Sequence, residues 1–366
     1  MRSNECVVVG LSGGVDSSVA LYLLGQQYEH LVGASHDICV DSLTCNDETL
    51  SRAKRLADRF GIPYYRFDMV GEFSEAVIAD FAAEYHEGRT PNPCVRCNER
   101  IRFTEFFRRC REAAVEKGIV SDISEVLFAT GHYARIGNFE GHLVIERGVD
   151  HKKDQSYMLY RIPADYLSHI VFPLGDQTKE EIVKIALREG FPSSSVKESQ
   201  DICFIPGRYT DKLIEIFSEE VVTKPGLIVD ESGTELGNHR GYMFYTIGQR
   251  QGLGLSDGPW YVKSLDAKKN RVVVGRKESL LDDRFTLRDE NWFVPSARVE
   301  ALAAQGSIAV KIRYNSPEQP CTLSTVDGHT IVRLSQATSV TPGQSAVFYL
   351  GDLVLGGGII DTLITT

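Results

Sequence analysis

The chain of 366 residues lacks any apolar run of the roughly 18 to 20 residues that a membrane-spanning helix needs. It also lacks a surplus of positive charge, since 40 Lys and Arg face 50 Asp and Glu and leave a net charge of −10. That balance argues against a protein that binds nucleic acid over its whole surface, although it leaves room for a local basic patch. The composition is otherwise that of a soluble globular chain, which excludes a disordered protein.

Cysteine is too sparse for a disulfide scaffold. Eight cysteines at irregular spacing would be few for a secreted protein of this length, so reduced thiols in a cytosol are expected. Residues 1–5 lead directly into a strand-like run and carry neither the apolar stretch of a signal peptide nor an Arg/Ser-rich transit segment. The sequence therefore predicts a cytoplasmic protein with no membrane association.

The first 205 residues alternate short apolar runs with helical periodicity, a pattern typical of a parallel sheet with crossover helices. An apolar strand is predicted at residues 6–11, followed by a helix from Asp16 to Gly25. A second helix is expected to stop at Gly61, and another buried strand is expected at residues 126–130. The fold class is thus α/β, with a doubly wound parallel sheet in residues 1–205.

Beyond residue 205 short alternating segments separated by Gly, Asp and Asn dominate. Strands are expected at residues 227–230, 242–247, 260–265 and 271–274, with a hairpin turn at 268–270. We therefore predict a small central β-rich domain at residues 206–280 and a C-terminal β-barrel at residues 281–366.

A glycine-rich segment, GLSGGVDSS at residues 10–18, lies between the first strand and the first helix. Glycines there allow close backbone approach to a phosphate, and the helix N-terminus favours an anion. The segment is neither a Walker P-loop, because Gly-Lys-Ser/Thr is missing, nor a G-x-G-x-x-G fingerprint. It is similar to the PP-loop of ATP pyrophosphatases, which split ATP into AMP and pyrophosphate. An ordinary strand-to-helix turn with Asp16 or Ser17 as a cap is the alternative.

A second motif, TPNPCVRCN, contains Cys94 and Cys97 and precedes a helix predicted at residues 99–117. We expect the helix dipole and nearby arginines to lower the pKa of Cys97, as suits a nucleophile. The same stretch has an excess of positive charge, which makes it either a phosphate-binding patch or a solvated helix face. The arginines are Arg96, Arg100, Arg102, Arg108, Arg109 and Arg111, against Glu99 and Glu105.

No second C-x-x-C and no His pair completes a zinc site, so a structural zinc is not expected. Cys203 lies in the segment SQDICF, directly before the change of pattern at Pro206. The remaining cysteines are more economically explained as small core residues, Cys6, Cys110 and Cys321, or have no predicted role, Cys39 and Cys45.

Taken together, these motifs resemble the tRNA-specific 2-thiouridylases, the MnmA family, over nearly the whole chain. The resemblance rests on an ordered set of segments: GLSGGVDSS, GRTPNPCVRCN, ATGHYAR, KDQSYMLYR, FPLGDQTKEE, ESQDICFI, YTIGQRQGLG, IRY and TPGQSAVFY. It implies that ATP, with Mg²⁺, adenylates the C2 oxygen of the wobble uridine in tRNA before sulfur replaces that oxygen.

The resemblance also implies roles for individual residues. Cys203 would carry a persulfide, and Cys97 would act as nucleophile and end in a disulfide with Cys203. ATP would be bound by Gly10, Leu11, Ser12, Gly13, Gly14, Val15, Asp16, Ser17, Ser18, His36 and Gly131. The flipped uridine and the anticodon stem-loop would be contacted by Asn92, Pro93, Cys94, His132, Lys153, Asp154, Gln155, Arg313, Tyr314 and Gln344. The implied partners are tRNAs for Lys, Glu and Gln and a cysteine desulfurase or sulfur-relay protein.

Two positions depart from the family pattern. Cys94 replaces an Asp that some members have, so a general acid or base role does not transfer to it. His36 stands where a Met often packs on the adenine.

Three alternatives remain open. Cys94, Cys97 and Cys203 could ligate an iron–sulfur cluster that carries the sulfur. A nitrogen-transferring PP-loop ligase would need no cysteine pair, and a non-catalytic tRNA-binding protein would release no AMP.

Overall fold

A computed structural model describes residues 3–38, 47–191, 202–205 and 207–364 of the chain. Cys39, Cys45 and the first part of the ESQDICFI segment lie outside these residues. Within them, none of the helices has both the length and the apolar character needed to cross a membrane.

A five-stranded parallel sheet forms the N-terminal part, in the order β3-β2-β1-β4-β7. Its strands are β1 Ser3–Gly10, β2 Tyr28–Asp37, β3 Tyr64–Asp68, β4 Val126–Ala129 and β7 Ile170–Val171. β1 is central because its apolar run is buried on both faces: Val7 and Val9 pack on one side, Val8 on the other. The predicted doubly wound sheet is confirmed.

Helices cover both faces of this sheet. They are α1 Val15–Gln27, α2 Asp47–Phe60, α3 (Val70–Phe73, π-helical Ser74–Ile78 and Ala79–His86), α4 (Pro93–Arg96, π-helical Cys97–Phe106 and Phe107–Glu116) and α5 Lys179–Arg188. α2 ends as predicted, with Gly61 at φ +65°. The predicted stop at Gly25 is wrong, because the helix continues through that residue to Gln27.

The strand order identifies the end of the sheet at which a ligand is expected to bind. β2 lies on one side of β1 and β4 on the other, so the connections from β1 and β4 diverge at their carboxyl ends. Ligands of open α/β sheets bind in the crevice at such a switch point. The loop after Gly10 and the segment after Ala129 both begin there.

The central part is a four-stranded sheet in the order β10-β11-β8-β9. Its strands are β8 Gly226–Asp230, β9 Glu235–His239, β10 Tyr261–Asp266 and β11 Arg271–Gly275, preceded by helices α6 Tyr209–Phe217 and α7 Glu219–Val222. The predicted hairpin is present, with Asn270 in its turn at φ +50°. The strand predicted at residues 242–247 is wrong, since Tyr242–Phe244 is a 3-10 turn whose Tyr242 hydroxyl donates to the His86 carbonyl.

The C-terminal part is a six-stranded antiparallel barrel that closes through the pairing of β12 with β17. It comprises β12 Leu281–Trp292, β13 Ala309–Lys311, β14 Gln319–Val326, β15 His329–Ser339, β16 Ser345–Leu350 and β17 Leu353–Leu363, with helix α8 Ser296–Ala304. A hairpin from the N-terminal segment, β5 Ala134–Phe139 and β6 His142–Arg147, extends this sheet by pairing β6 with β17. Sequence position alone therefore does not separate the N-terminal segment from the barrel sheet.

A half-buried ion network joins α4 to the barrel. Arg161 donates from Nε and Nη2 to the two carboxylate oxygens of Glu99, at 2.7 and 2.9 Å, and also donates to the Asp289 carbonyl. Arg96 bridges Glu99 and Asp80 at 3.0 and 2.8 Å. Burial opposes ionisation of Glu99, but the hydrogen bonds and charge of Arg161 outweigh it and lower the pKa of Glu99.

We expect Arg161→Met to lower the urea midpoint of unfolding, because it leaves the Glu99 carboxylate buried with one cation fewer. Breaking one partner of a buried pair costs about 3–5 kcal/mol. Lys54→Met removes an exposed pair with Asp58 and should have little effect. Since the folded-state pKa of Glu99 lies below its ordinary 4.5, its contribution is full above that pH and disappears as pH falls through the lowered pKa. Equal urea midpoints for the two variants would contradict this role.

Candidate active site

The loop between β1 and α1 has the properties of an anion site. Gly14 is the N-cap of α1 and no side chain caps the helix, so the N–H groups of the first turn are not engaged by a capping group. Gly13 has φ +69°, and a Cβ there would lie 2.4 Å from the Thr49 carbonyl oxygen. The second glycine of the motif is therefore required by both backbone conformation and space.

The serines of the motif shape this loop from within. The Ser12 amide donates to the Ser17 hydroxyl at 3.3 Å, and the hydroxyls of Ser17 and Ser18 donate to the Gly14 carbonyl at 3.1 and 2.9 Å. The Leu11 amide donates to the Ala34 carbonyl of β2 at 2.7 Å. These contacts leave the backbone of the loop as its main surface toward a ligand.

Asp16 is held by two groups from outside the loop. The Tyr133 hydroxyl donates to Asp16 Oδ1 at 2.8 Å, and Lys179 Nζ contacts Oδ1 and Oδ2 at 2.8 and 3.0 Å. Lys179 was missed as a site residue, although it stands in the FPLGDQTKEE segment. Membership of that segment was the one sequence signal for Lys179, because a lysine in the first turn of a helix is ordinarily exposed to solvent.

The segment after β4 connects this loop to a second cluster. A Cβ on Gly131 would lie 3.1 Å from the Asp16 carbonyl carbon and 3.2 Å from the Ser17 nitrogen, so α1 begins directly against it. The next residue, His132, accepts from Arg102 at Nε2 over 3.2 Å and therefore donates from Nδ1 to the Thr130 hydroxyl at 2.8 Å. Burial, and then the charge of Arg102, lower the pKa of His132, which keeps the ring neutral.

Three thiols lie around Arg102. Cys94 and Cys203 are exposed, whereas Cys97 is only 8% exposed. Burial is the main reason that the pKa values of Cys97 and Cys203 are raised; Cys203 and Cys94 add to the rise at Cys97, and Cys94 adds to the rise at Cys203. The fold thus brings Cys203 close to Cys94 and Cys97, which precede it by more than a hundred residues.

The Cys203 turn is anchored by the residue that follows it. Phe204 is buried and packs edge-to-face on Phe73 and Phe81 of α3, with ring centroids 5.6 and 5.4 Å apart. The Ile205 amide donates back to the Ile202 carbonyl at 2.9 Å, which closes the turn. Cys203 is therefore presented to solvent on a tight turn whose base is fixed in the core.

The expectation of a low pKa at Cys97 is wrong. The helix begins at Pro93, with Asn92 as its N-cap, so Cys97 lies inside the helix rather than just before it. Burial raises the pKa of Cys97 to about 12, against which the charge of Arg102 acts in the opposite direction. Desolvation of the thiolate outweighs the helix dipole here.

The basic patch predicted at residues 96–111 is largely neutralised within the protein. Arg108 contacts Glu105 and Glu112, and Arg109 contacts Glu105 and Glu72. Arg102 differs: among the described residues, no carboxylate lies within 4.0 Å of its guanidinium, which bonds to Asn98 at 2.8 Å and to His132. The charge of Arg102 lowers the pKa of all three thiols, against the effect of burial, which raises it.

His36 and the residues expected around the uridine have internal contacts as well. The His36 ring packs on Phe106 with centroids 4.7 Å apart, and burial, with the charge of Arg102, lowers its pKa to about 3. The Asn92 side chain accepts from the Val95 amide at 3.3 Å, and Pro93 is buried at the first position of the helix. The roles of these three residues toward ATP and the uridine stay predictions.

The residues expected to contact the anticodon stem-loop mostly face the protein. The Asp154 carboxylate accepts from Ser156, the Gln155 side chain accepts from the Tyr133 amide at 3.0 Å, and the Tyr314 hydroxyl donates to the Asp154 carbonyl. Lys153 has a partner of its own. Their roles toward tRNA stay predictions.

Gln344 joins the barrel to the cysteine segment, whereas Arg313 bonds to residues of the barrel region. Gln344 donates to the carbonyls of Thr90 and Pro91 at 2.8 and 3.2 Å, directly before Asn92. Arg313 is half-buried and donates to the Ser339 carbonyl at 3.0 Å. Gln344 therefore positions the TPNPC loop from the barrel side.

Three family models match consecutive parts of the chain. They are described as the tRNA methyl transferase HUP domain at residues 5–207, the tRNA methyl transferase PRC-barrel domain at 215–276, and the aminomethyltransferase beta-barrel domain at 282–360.

The descriptions of these models differ, and relatives that match along their full length show which family the chain belongs to. A tRNA-specific 2-thiouridylase MnmA of Geobacter metallireducens is 40% identical over 100% of this chain and 99% of its own length. A second, from Caldanaerobacter subterraneus, is 39% identical over 99% of each chain. The chain belongs to the tRNA-specific 2-thiouridylase family. This membership confirms the resemblance seen in the motifs and the predicted class of enzyme, a tRNA sulfurtransferase.

A solved structure, the U34-tRNA thiolase NcsA of Methanococcus maripaludis with its [4Fe-4S] cluster, is 16% identical over 60% of this chain and 66% of its own, at a TM-score of 0.34. A likeness that weak carries no functional argument for this 2-thiouridylase family member. In the described ranges, no group of three or more His, Cys, Asp or Glu side chains has an arrangement suited to a metal ion.

In this 2-thiouridylase family member we expect Arg102→Gln to slow alkylation of Cys97 at fixed pH. Removing the cation takes away a charge that lowers the pKa of that thiol. The measurement is iodoacetamide labelling between pH 7 and 10, followed by peptide mass spectrometry, with exposed Arg100→Gln as control. In both proteins the exposed Cys94 and Cys203 should label before Cys97. A Cys97 labelling rate that is unchanged, or faster, in Arg102→Gln would contradict this assignment.

Proposed function

We propose that this protein catalyses ATP-dependent 2-thiolation of the wobble uridine in tRNA, with sulfur delivered from a Cys203 persulfide. The C2 oxygen of uridine is a poor leaving group, so it must first attack the α-phosphorus of ATP and displace pyrophosphate. The adenylated oxygen then leaves as AMP when sulfur attacks C2. Family membership supports the thiolation, and the loop at the switch point supports the use of ATP.

The observation that carries this proposal is the contact of two consecutive residues with two different sites. Gly131 packs on the first turn of α1, where the phosphates of ATP would bind, and His132 bonds to Arg102 among the thiols. Adenylation and sulfur transfer at one uridine require such neighbouring sites, because the adenylated base cannot leave between the steps.

Residues of the loop would hold the nucleotide. The uncapped N–H groups after Gly14 suit a pyrophosphate, and Mg²⁺ would bind with the substrate phosphates, because Lys179 already contacts both oxygens of Asp16. Mg²⁺ would supply charge neutralisation of the leaving pyrophosphate.

The sulfur step balances in two ways. In one, the terminal sulfur of the Cys203 persulfide attacks C2 and expels AMP; the Cys97 thiolate then attacks the Cys203 sulfur, releases 2-thiouridine and forms the Cys97–Cys203 disulfide. In the other, Cys97 attacks the persulfide first, and the hydrosulfide released attacks C2. Both routes need a thiol reductant to restore the two cysteines.

The exposures of the two cysteines match these roles. Cys203 is exposed and accessible to a sulfur donor protein, such as a cysteine desulfurase or a relay protein. Cys97 is buried with a raised pKa, so it is a weak nucleophile until substrate arrives. The tRNA substrates proposed from the family are those for Lys, Glu and Gln, with the flipped uridine near Asn92, Pro93 and Cys94.

We expect Cys97→Ser and Cys203→Ser to lose 2-thiouridine formation while retaining tRNA-dependent release of pyrophosphate from ATP, because adenylation displaces pyrophosphate and uses neither thiol. The assay is nucleoside mass spectrometry of tRNA incubated with ATP and a persulfide donor. Cys110→Ser, at a buried cysteine of the same helix, is the control and should keep thiolation. Full thiolation in both variants would overturn the proposal, and AMP release without any thiolation by the unmodified protein would favour a PP-loop ligase.

We expect Cys94→Ser to retain thiolation, since the persulfide route needs only Cys97 and Cys203. An iron–sulfur route through three thiolates would instead lose all activity in this variant. The measurement is the same nucleoside assay on protein purified anaerobically, together with iron analysis. Iron that is present in stoichiometric amount and required for turnover would contradict the persulfide mechanism.

A further inference from the structure

A negative charge stands where an anion should bind. Asp16 is in the first turn of α1, at the loop whose N–H groups face the expected phosphates, and its side chain is 30% exposed. An aspartate there interacts favourably with the helix dipole, but its charge repels a polyphosphate. The loop can accept an anion only if that carboxylate is compensated.

The compensating cation is fixed in place by its own helix. Lys179 follows the N-cap Thr178, which forms a capping box with Glu181, and the Lys179 amide donates to Asp150 at 2.9 Å. With the helix start fixed, Lys179 Nζ spans both oxygens of Asp16 at 2.8 and 3.0 Å. The pair is 20% and 30% exposed, so solvent screens it less than a surface pair.

Tyr133, the third residue of this cluster with Asp16 and Lys179, is also fixed in place. The Tyr133 hydroxyl donates to Asp16 at 2.8 Å, while the Tyr133 amide donates to the side-chain oxygen of Gln155 at 3.0 Å. Two segments distant in sequence therefore converge on one carboxylate, which is more than a helix cap requires.

We propose that Lys179 is a positioning residue of the nucleotide site, which neutralises Asp16 so that the glycine-rich loop accepts the polyphosphate of ATP. It acts through Asp16 rather than by contact with the phosphates. This inference rests on the proposed use of ATP and assigns a residue to it.

The test is a double-mutant cycle on the full-length protein, with equilibrium binding of ATP and Mg²⁺ measured by calorimetry. We expect Lys179→Met to weaken ATP binding by at least about tenfold, the usual scale for losing a charged hydrogen-bond partner. In an Asp16→Asn background the same substitution should change binding less than about threefold, because no charge is left to neutralise. Lys179→Arg should keep most of the affinity.

The control is Lys184→Met, an exposed lysine of the same helix, which should bind ATP like the unmodified protein. Thermal melting separates misfolding from lost binding, and Lys179→Met should raise the KM for ATP more than it lowers kcat. Equal losses from Lys179→Met in both backgrounds, or no loss, would overturn the proposal. Failure of the unmodified protein to bind ATP would instead overturn the proposed function.

Discussion

The close packing of Gly131 on the start of α1 is the constraint on which the site depends. A side chain at this position would meet the backbone of Asp16 and Ser17 at 3.1 to 3.3 Å. Because β1 and β4 are neighbours, the segments that follow them meet at the carboxyl end of the sheet, and a Cβ at Gly131 would require the start of α1 to shift by a few tenths of an ångström. That approach places Tyr133 on Asp16 and His132 on Arg102, so one short segment sets the distance between the two clusters.

The elements that could be predicted from the sequence are those with a local cause. The apolar run of β1 and the Gly61 stop of α2 are properties of a few neighbouring residues, and both were predicted. The segment at residues 242–247 alternates like a strand, but its tyrosines are buried against the N-terminal part, so tertiary packing decided its conformation. Likewise Gly25 does not end α1, since the helix continues to Gln27 and is packed through its buried residues Leu21 and Leu24.

The site divides in the same way. The glycine-rich loop and the cysteines were found from motifs, whereas Lys179 and Arg102 acquire their roles only from residues distant in sequence. The pKa of Cys97 was predicted with the wrong sign, because the sequence shows the helix and the arginines but not the burial. Where a thiol lies in the interior, desolvation is the larger effect, and its direction cannot be read from neighbouring residues.

Burial of Cys97 also has a chemical consequence. In the proposed mechanism, the raised pKa of Cys97 would slow formation of a disulfide with Cys203 before substrate binds, because the thiolate is the attacking species. Arg102 already lowers the pKa, and it has no carboxylate partner among the residues described, so its charge remains available to a developing anion. The thiol proposed to resolve the persulfide and the cation that lowers its pKa therefore belong to one cluster, in which burial opposes the thiolate and Arg102 favours it.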